Sequence, residues 1–166
     1  MNDIAAKLSA PFQAHQIHWR LGSTNQSRVR KETGNQNALP TKGIPLAYLD
    51  ARDVMERLDE VVGPFNWQVR YPFTGCCELS IKDPETGEWV TKANGAGVTD
   101  IEAEKGQYSD AFKRAGVMFG IGRYLYDLPN TWVDLVNGKL SGDTILSLSS
   151  RLETWTFKKF NTGEKK

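Results

Sequence analysis

The chain has 166 residues, of which 39% are hydrophobic and 25% charged, and this composition is typical of a folded globular protein. Its length suffices for one hydrophobic core, so we expect a single domain over residues 1–166. The first residues, MNDIAAKLSAPFQ, lack the basic and apolar regions of a secretion signal, and no apolar stretch approaches the ~18 residues that span a membrane. We therefore expect no signal peptide and no membrane partner.

The residues that bind metals or cofactors are not arranged in a recognisable pattern. Cys76 and Cys77 are adjacent, so in a strand they point to opposite faces and a disulfide between them is not expected, which fits a reducing cytoplasm. His15 and His18 have no further ligands at metal-binding spacing. The glycine pairs at 95–97 and 120–122 do not complete a dinucleotide-binding motif. We predict no metal, no cofactor and no enzymatic activity.

The charges are segregated along the chain, although the net charge is only +1. Basic residues outnumber acidic ones by five to one over 20–42, by four to two over 104–123 and by five to two over 151–166. Acidic residues outnumber basic ones by five to two over 50–60, with the spacing of a solvated helical face. Such segregation can produce a positive groove on a nearly neutral molecule.

The first quarter of the chain contains few regular patterns. Ser9 is a candidate N-cap, with Pro11 in the first turn of a short helix that should end near Gln16, and a strand is expected over 17–21. Residues 22–43 lack periodicity and are rich in Ser, Thr, Asn, Gln and Gly, so we predict a long loop. It is either a solvated mobile loop or a loop that holds phosphates with its four basic residues, Arg28, Arg30, Lys31 and Lys42.

The middle of the chain has clear periodicity. A short strand is expected at 46–49, and Asp50 is placed to cap a helix that runs to Val62 and stops at Gly63. Alternating apolar residues then predict three antiparallel strands, the last over 88–94, with a turn at 83–87. The core-facing residues are Trp67, Val69, Tyr71 and Phe73 in the first strand and Cys77, Leu79 and Ile81 in the second.

A long helix is predicted from near Asp100 to Asp127. Its apolar stripe contains Tyr108, Ala111, Phe112, Ala115, Met118, Phe119 and Gly122, whereas Lys113 lies near the opposite pole with Arg114 beside it. We therefore predict an α+β fold, with an antiparallel β-β-β meander packed on a long α-helix and additional short helices and strands. Another helix is expected over 140–152, and the basic end, about 155–166, is expected to be disordered.

Two segments resemble the Rad52/Rad22 double-strand-break repair family, whose members anneal complementary single strands. The segment DAFKRAGVMFGIGRYLYDL, from Asp110, is similar to the signature helix of the family, and AYLDARDVMERLDEVVGPFNWQ, from Ala47 to Gln68, is similar to an earlier motif. The segments are about as far apart as in the family, and the resemblance covers most of residues 17–130. The similarity is strongest to the small annealing proteins of bacteriophages and bacteria.

This resemblance implies a protein that binds single-stranded DNA and anneals complementary strands in homologous recombination. It implies a closed homo-oligomeric ring with a continuous basic groove, in the cytoplasm of a bacterium or of an infected host cell. It also suggests a recombination nuclease or a single-strand-binding protein as further partners. The alternatives are a non-enzymatic RNA-binding protein and a protein-interaction module. An RNA-binding sheet would expose aromatic residues on its central strands.

The resemblance also implies which residues contact DNA. Lys113 and Arg114 match the lysine–arginine pair of the groove, Tyr48 matches a groove tyrosine, and Lys105 matches a basic position. Arg28 lies near a groove arginine in a looser alignment. Val117 occupies the place of an arginine in eukaryotic relatives, so the groove is less positive here unless Arg123 or the loop residues Arg30, Lys31 and Lys42 compensate.

Overall fold

A computed structural model of the chain describes residues 2–95 and 104–161. The chain divides into two compact units, the first formed by Met1–Pro11 and Leu49–Asp127 and the second by Phe12–Tyr48 and Leu128–Lys166. This division does not test whether the two units fold as one domain, so the single domain over residues 1–166 stays a prediction. None of the helices in the described residues is long and apolar enough to cross a membrane.

The fold is α+β, as predicted. In chain order the elements are α1 (Asn2–Ser9), β1 (His18–Thr24), α2 (Gln26–Thr33), β2 (Lys42–Tyr48), α3 (Ala51–Val62), β3 (Trp67–Arg70), β4 (Cys76–Lys82), β5 (Trp89–Gly95), α4 (Glu104–Met118), β6 (Val133–Asp134) and α5 (Gly142–Asn161), with short 3-10 helices at Ala14–Gln16 and Arg123–Asp127.

The first unit contains the predicted meander and its helix. The antiparallel sheet has the order β3-β4-β5, and β4 pairs along its full length with β5, from Cys76 opposite Gly95 to Lys82 opposite Trp89. The predicted inward face of β4 is buried, and α4 packs on it. The buried side chains of these two elements are Cys77, Leu79 and Ile81 of β4 and Ala111, Phe112 and Ala115 of α4.

The prediction that Val69, Tyr71 and Phe73 belong to the core is wrong, because all three side chains are exposed. The strand β3 ends at Arg70, and Phe73 is 68% exposed. The reason is that α4 packs mainly on β4 and β5, so the edge strand is only partly covered. Trp67 still reaches the helix, with its ring centroid 5.9 Å from that of Phe112. The rings of Tyr71 and Tyr108 pack edge to face, with their centroids 5.0 Å apart.

The helix α3 follows its sequence signals. Asp50 is the N-cap, and Asp50 and Asp53 form the reciprocal hydrogen bonds of a capping box, with the Asp50 N–H donating to Asp53 Oδ2 at 2.8 Å. At the other end the N–H of Gly63 donates to the carbonyl of Asp59 at 3.0 Å. Val54 and Leu58 are buried, so this side of the helix belongs to the core.

A single arginine of α3 holds the end of α1. Arg57 Nη1 donates to the carbonyl oxygens of Lys7 at 3.1 Å, Leu8 at 3.3 Å and Ala10 at 2.7 Å. The Lys7 and Leu8 carbonyls lie in the last turn of α1 and the Ala10 carbonyl follows it, so none of them has a donor four residues later in the same helix. Burial lowers the pKa of Arg57 below its ordinary value, opposed by the nearby charge of Glu60. The interaction fastens α1 to α3.

The long helix is shorter than predicted. It ends at Met118 because Gly120 and Gly122 have positive φ angles of 97° and 67°, which L-residues with a side chain rarely adopt. Both glycines are also closely approached. A Cβ atom on Gly120 would lie 3.0 Å from Ser9 Cβ, and one on Gly122 would lie 2.6 Å from Leu49 Cδ1. The expected helix start near Asp100 lies outside the described residues.

The second unit contains a small antiparallel sheet of order β1-β2-β6 and the helices α2 and α5. The prediction of a continuous loop over 22–43 is wrong, since 26–33 form α2, which is followed by Gly34 with a φ of 67°. The basic end is also not disordered over 155–161, because α5 continues to Asn161 around buried Leu148 and Leu152, and residues 162–166 lie outside the described part.

The first helix of the chain is also placed differently from the prediction. Ser9 was expected to be an N-cap, but it is the last residue of α1. Its hydroxyl donates backwards, to the carbonyl of Ala5 at 2.8 Å, instead of accepting from a following N–H. Only a 3-10 turn at Ala14–Gln16 forms in the expected region.

Candidate nucleic-acid interface

The predicted lysine–arginine pair lies on the side of α4 that faces away from its buried stripe. Arg114 is exposed, and its Nε donates to Asp110 Oδ2, one turn earlier, at 2.9 Å. Lys113 is half-buried, so part of its aliphatic stem is covered. Because exposed i,i+4 ion pairs contribute only about 0.3–0.5 kcal/mol, a phosphate can replace Asp110 beside Arg114 at small cost. The side chain of Lys105 lies outside the described part of the chain.

Two cations meet at the C-terminal end of α4. Arg123 donates from Nε and Nη2 to the carbonyl of Val117, at 3.0 and 2.8 Å, and from Nη2 to the carbonyl of Met118 at 2.9 Å. Lys92 Nζ, from β5, donates to the same Met118 oxygen at 2.9 Å. The Lys92 ammonium also lies 4.6 Å from the centroid of the Phe119 ring. The structure thus shows Arg123, which was predicted to contact DNA, as a cap of the C-terminal end of α4.

Three of the four basic residues predicted in a loop, Arg28, Arg30 and Lys31, lie on α2 of the second unit. Arg28 and Lys31 are exposed and three residues apart, so they share one face of the helix. Arg28 Nε donates to Glu32 Oε1 at 2.7 Å, and this hydrogen bond raises the pKa of Arg28 above its ordinary value. Arg30 is half-buried on another side of α2, and no hydrogen bond within the described residues reaches its buried Nε.

Asn25 joins the start of α2 to the start of β2. Its Oδ1 accepts from the backbone N–H groups of Thr41 and Lys42, both at 2.9 Å, and its Nδ2 donates to Thr41 Oγ1 at 2.9 Å. Its own N–H donates to the carbonyl of Lys42 at 3.0 Å. The Lys42 ammonium is 3.7 Å from Asp134 Oδ1. Asn25 therefore positions Lys42 next to the beginning of the basic helix.

The predicted groove tyrosine is paired with a histidine across the second unit's sheet. Tyr48 lies opposite His18 in the register of β1 and β2, and their ring centroids are 5.4 Å apart with planes tilted by 34°. Both side chains are half-buried. Partly exposed rings of this kind can support nucleotide bases by stacking.

The structure groups the predicted residues by unit. Lys113, Arg114 and Arg123 lie in the first unit, and Tyr48, Arg28, Arg30, Lys31 and Lys42 lie in the second. Sequence reasoning missed Lys92, His18 and Asn25. The sequence contained one indication of Lys92. It lies two residues after Val90 in the same strand, so the two side chains share a face, and a charge on an apolar face needs a partner. The roles of Asn25 and His18 depend on partners distant in the chain, so no local pattern indicates them.

Comparison with known proteins points to DNA repair. The family described as Rad52/22 family double-strand break repair protein matches residues 1–86 and 73–143. Two proteins named single-stranded DNA-binding protein DdrA are each 36% identical to the chain. The one from Deinococcus radiodurans aligns over 137 residues, 81% of this chain, and the one from Deinococcus deserti over 136 residues, 80% of this chain. The chain spans 60% and 61% of the length of these curated relatives. No solved structure is significantly similar.

Proposed function

Because the chain belongs to the Rad52/22 family of double-strand break repair proteins, we propose that it binds single-stranded DNA and anneals complementary strands during double-strand break repair. The observation that carries this proposal is that the family match includes α4, where the Lys113–Arg114 pair lies on the side away from the core. The two relatives named as single-stranded DNA-binding proteins support the choice of ligand.

Annealing requires no covalent chemistry, so the role of the protein is to hold strands and to screen charge. Lysine and arginine side chains neutralise phosphates and thereby lower the repulsion between two polyanions. Within the first unit this role falls to Lys113 and Arg114, and within the second to Arg28 and Lys31 of α2. Tyr48, with its neighbour His18, offers aromatic surface for bases without reading their sequence.

We further propose that copies of the chain associate head-to-tail through the edges of the meander. In the described part of the first unit, β3 and β5 each pair with β4 alone, so each leaves one edge of backbone groups open. Exposed apolar side chains flank both edges. Phe65 is 91% exposed beside β3, and Trp89 and Val90 are exposed on β5. Joining unlike edges is a heterologous contact, which closes into a ring when the rotation permits.

An RNA-binding function of the aromatic-platform type receives less support. Such a sheet stacks bases on aromatic side chains of its central strands, but β4, the central strand of the meander, has the sequence CCELSIK and contains no aromatic residue. The comparisons likewise name DNA-binding proteins.

The test is annealing of two complementary labelled single strands, with the mass of the protein–DNA complex measured in parallel by light scattering. The purified chain should accelerate annealing and bind an unstructured oligonucleotide with an affinity that falls steeply as salt rises. Competition with RNA of the same sequence separates a DNA-binding from an RNA-binding protein. The proposal fails if the protein neither binds nor anneals single strands at low salt, and the proposed assembly fails if the protein is monomeric with and without DNA.

A further inference from the structure

Two cations converge at the C-terminal end of α4. Lys92 and Arg123 come from different elements, yet both donate to the carbonyl oxygen of Met118. Each of these bonds is 2.9 Å long, so the two charged nitrogens can be no farther apart than the two bonds laid end to end. Two positive side chains are therefore held side by side on one oxygen atom.

One cation would suffice to cap this helix. A helix C-terminus carries roughly half a negative charge, and Arg123 alone forms three hydrogen bonds with the last carbonyls. Lys92 adds a second full positive charge, and an ammonium has three donors, of which one is directed at Met118. The pair thus has more positive charge than the helix end neutralises. An anion placed beside both cations would relieve their repulsion.

The cations continue the basic side of α4. Asn94 Nδ2 donates to the carbonyl of Arg114 at 3.3 Å, and Lys92, two residues earlier on the same strand face, donates to the carbonyl of Met118. The strand β5 therefore runs beside the last turn of α4. Arg114 and Met118 are four residues apart, which is about 6 Å along a helix. Arg114 and Met118 therefore lie one turn apart on the same side of the helix.

Apolar surface lies next to the cations. Met118 is exposed, Phe119 is half-buried with the Lys92 ammonium against its ring, and Val90 is exposed two residues before Lys92. A phosphate between two cations with apolar and aromatic groups beside it is the arrangement that suits a nucleotide, since bases and sugars pack on such groups without sequence preference.

We propose that Lys92 and Arg123 form a phosphate-binding position. It extends the proposed single-stranded DNA-binding surface from Arg114 to the end of α4. The inference rests on the proposed function. It gives Lys92 a direct role in binding the phosphodiester backbone, and it gives Arg123 two roles, as a helix cap and as a ligand of the same phosphate. The neighbouring nucleotide lies against Met118 and Phe119.

Neutral replacement of Lys92 tests this position. Oligothymidine binding is measured at several salt concentrations for Lys92→Gln, for Lys92→Arg and for the control Lys82→Gln, which removes an exposed lysine of β4. Lys92→Gln should weaken binding and reduce the slope of log K against log salt by about 0.7. The ratio of the wild-type to the variant binding constant should therefore fall by about 2.6-fold between about 50 and about 200 mM salt. Lys92→Arg and Lys82→Gln should keep the wild-type slope.

Measurements of thermal stability and particle mass distinguish a phosphate contact of Lys92 from two other roles, a helix cap alone and a contact with a second copy of the chain. If Lys92→Gln lowers the melting temperature but leaves the salt slope unchanged, Lys92 is a cap only and the inference is wrong. If it changes the particle mass with an unchanged slope, the cations contact a second copy of the chain instead of DNA, and the inference is again wrong. If wild type does not bind oligothymidine at all, the proposed function fails together with the inference, whereas binding by wild type with an unaltered slope in Lys92→Gln refutes the inference alone.

Discussion

Replacing the lysine–arginine pair of α4 by glutamine should separate binding from folding. Lys113→Gln with Arg114→Gln removes two positive charges but keeps side chains of moderate length, which is important because the Lys113 stem is half-buried. If each cation contacts one phosphate of a single strand, the slope of log K against log salt should fall by about 1.4. The affinity advantage of wild type should then shrink about sevenfold between about 50 and about 200 mM salt.

The same double substitution should change stability little. The hydrogen bond from Arg114 to Asp110 is an exposed i,i+4 pair, with side chains 51% and 44% exposed, and such pairs contribute about 0.3–0.5 kcal/mol. Annealing should fall further than binding, because two strands must be screened at once. The assays are fluorescence anisotropy with an oligonucleotide at several salt concentrations, strand annealing, and chemical denaturation.

The matched control is Arg52→Gln with Lys82→Gln, which removes the same charges from exposed positions of α3 and β4. It should retain the wild-type salt slope and annealing rate. If both double variants lower the slope equally, binding reflects net charge and not the geometry of α4. If the α4 variant anneals like wild type, or unfolds at much lower denaturant than the control, this side of α4 is not the DNA surface.

Three further outcomes follow from packing, capping and titration. Phe112 is 1% exposed and Phe119 only half-buried, so Phe112→Ala should lower the free energy of unfolding by about 3–5 kcal/mol in denaturant titration, and Phe119→Ala by clearly less. Arg57→Met removes hydrogen bonds from a charged group to three carbonyls and should lower the free energy of unfolding by about 1.5–3 kcal/mol, and an unchanged melting temperature would contradict this role. Burial raises the pKa of the Cys77 thiol to about 11. Cys77 should therefore be alkylated much more slowly than Cys76 at pH 8, as mass spectrometry of the labelled peptides would show, and its contribution to stability should be lost as the pH rises from about 9 through 11.

Local patterns in the sequence determined the meander and α3. The alternation of Cys77, Leu79 and Ile81 predicts one buried strand face, because successive side chains of a strand point to opposite sides. Asp50 and Gly63 mark the ends of α3, because they satisfy the backbone groups that a helix leaves unpaired. These signals act over a few residues and need no knowledge of the rest of the chain. The same is true of the Lys113–Arg114 pair, whose helical position places it opposite the apolar stripe.

Tertiary contacts decided what local patterns could not. The polar segment before β2 has no apolar period, yet it contains the helix α2. The start of α2 is held to β2 by the hydrogen bond between Asn25 and Lys42, which are seventeen residues apart. The end of α4 depends on Gly120 and Gly122, whose positive φ angles become necessary where Ser9 and Leu49 approach. Such requirements arise only when distant parts of the chain meet.

The end of α4 also shows why part of the candidate site was missed. The sequence indicates that Lys92 lies on an inward face of a strand, where a charge needs a partner. It does not show that the partner is a carbonyl at the end of a helix 26 residues later, already bonded by Arg123. Charge along a chain is set by its sequence, but the convergence of two cations on one oxygen atom is set by how the strand packs beside the helix.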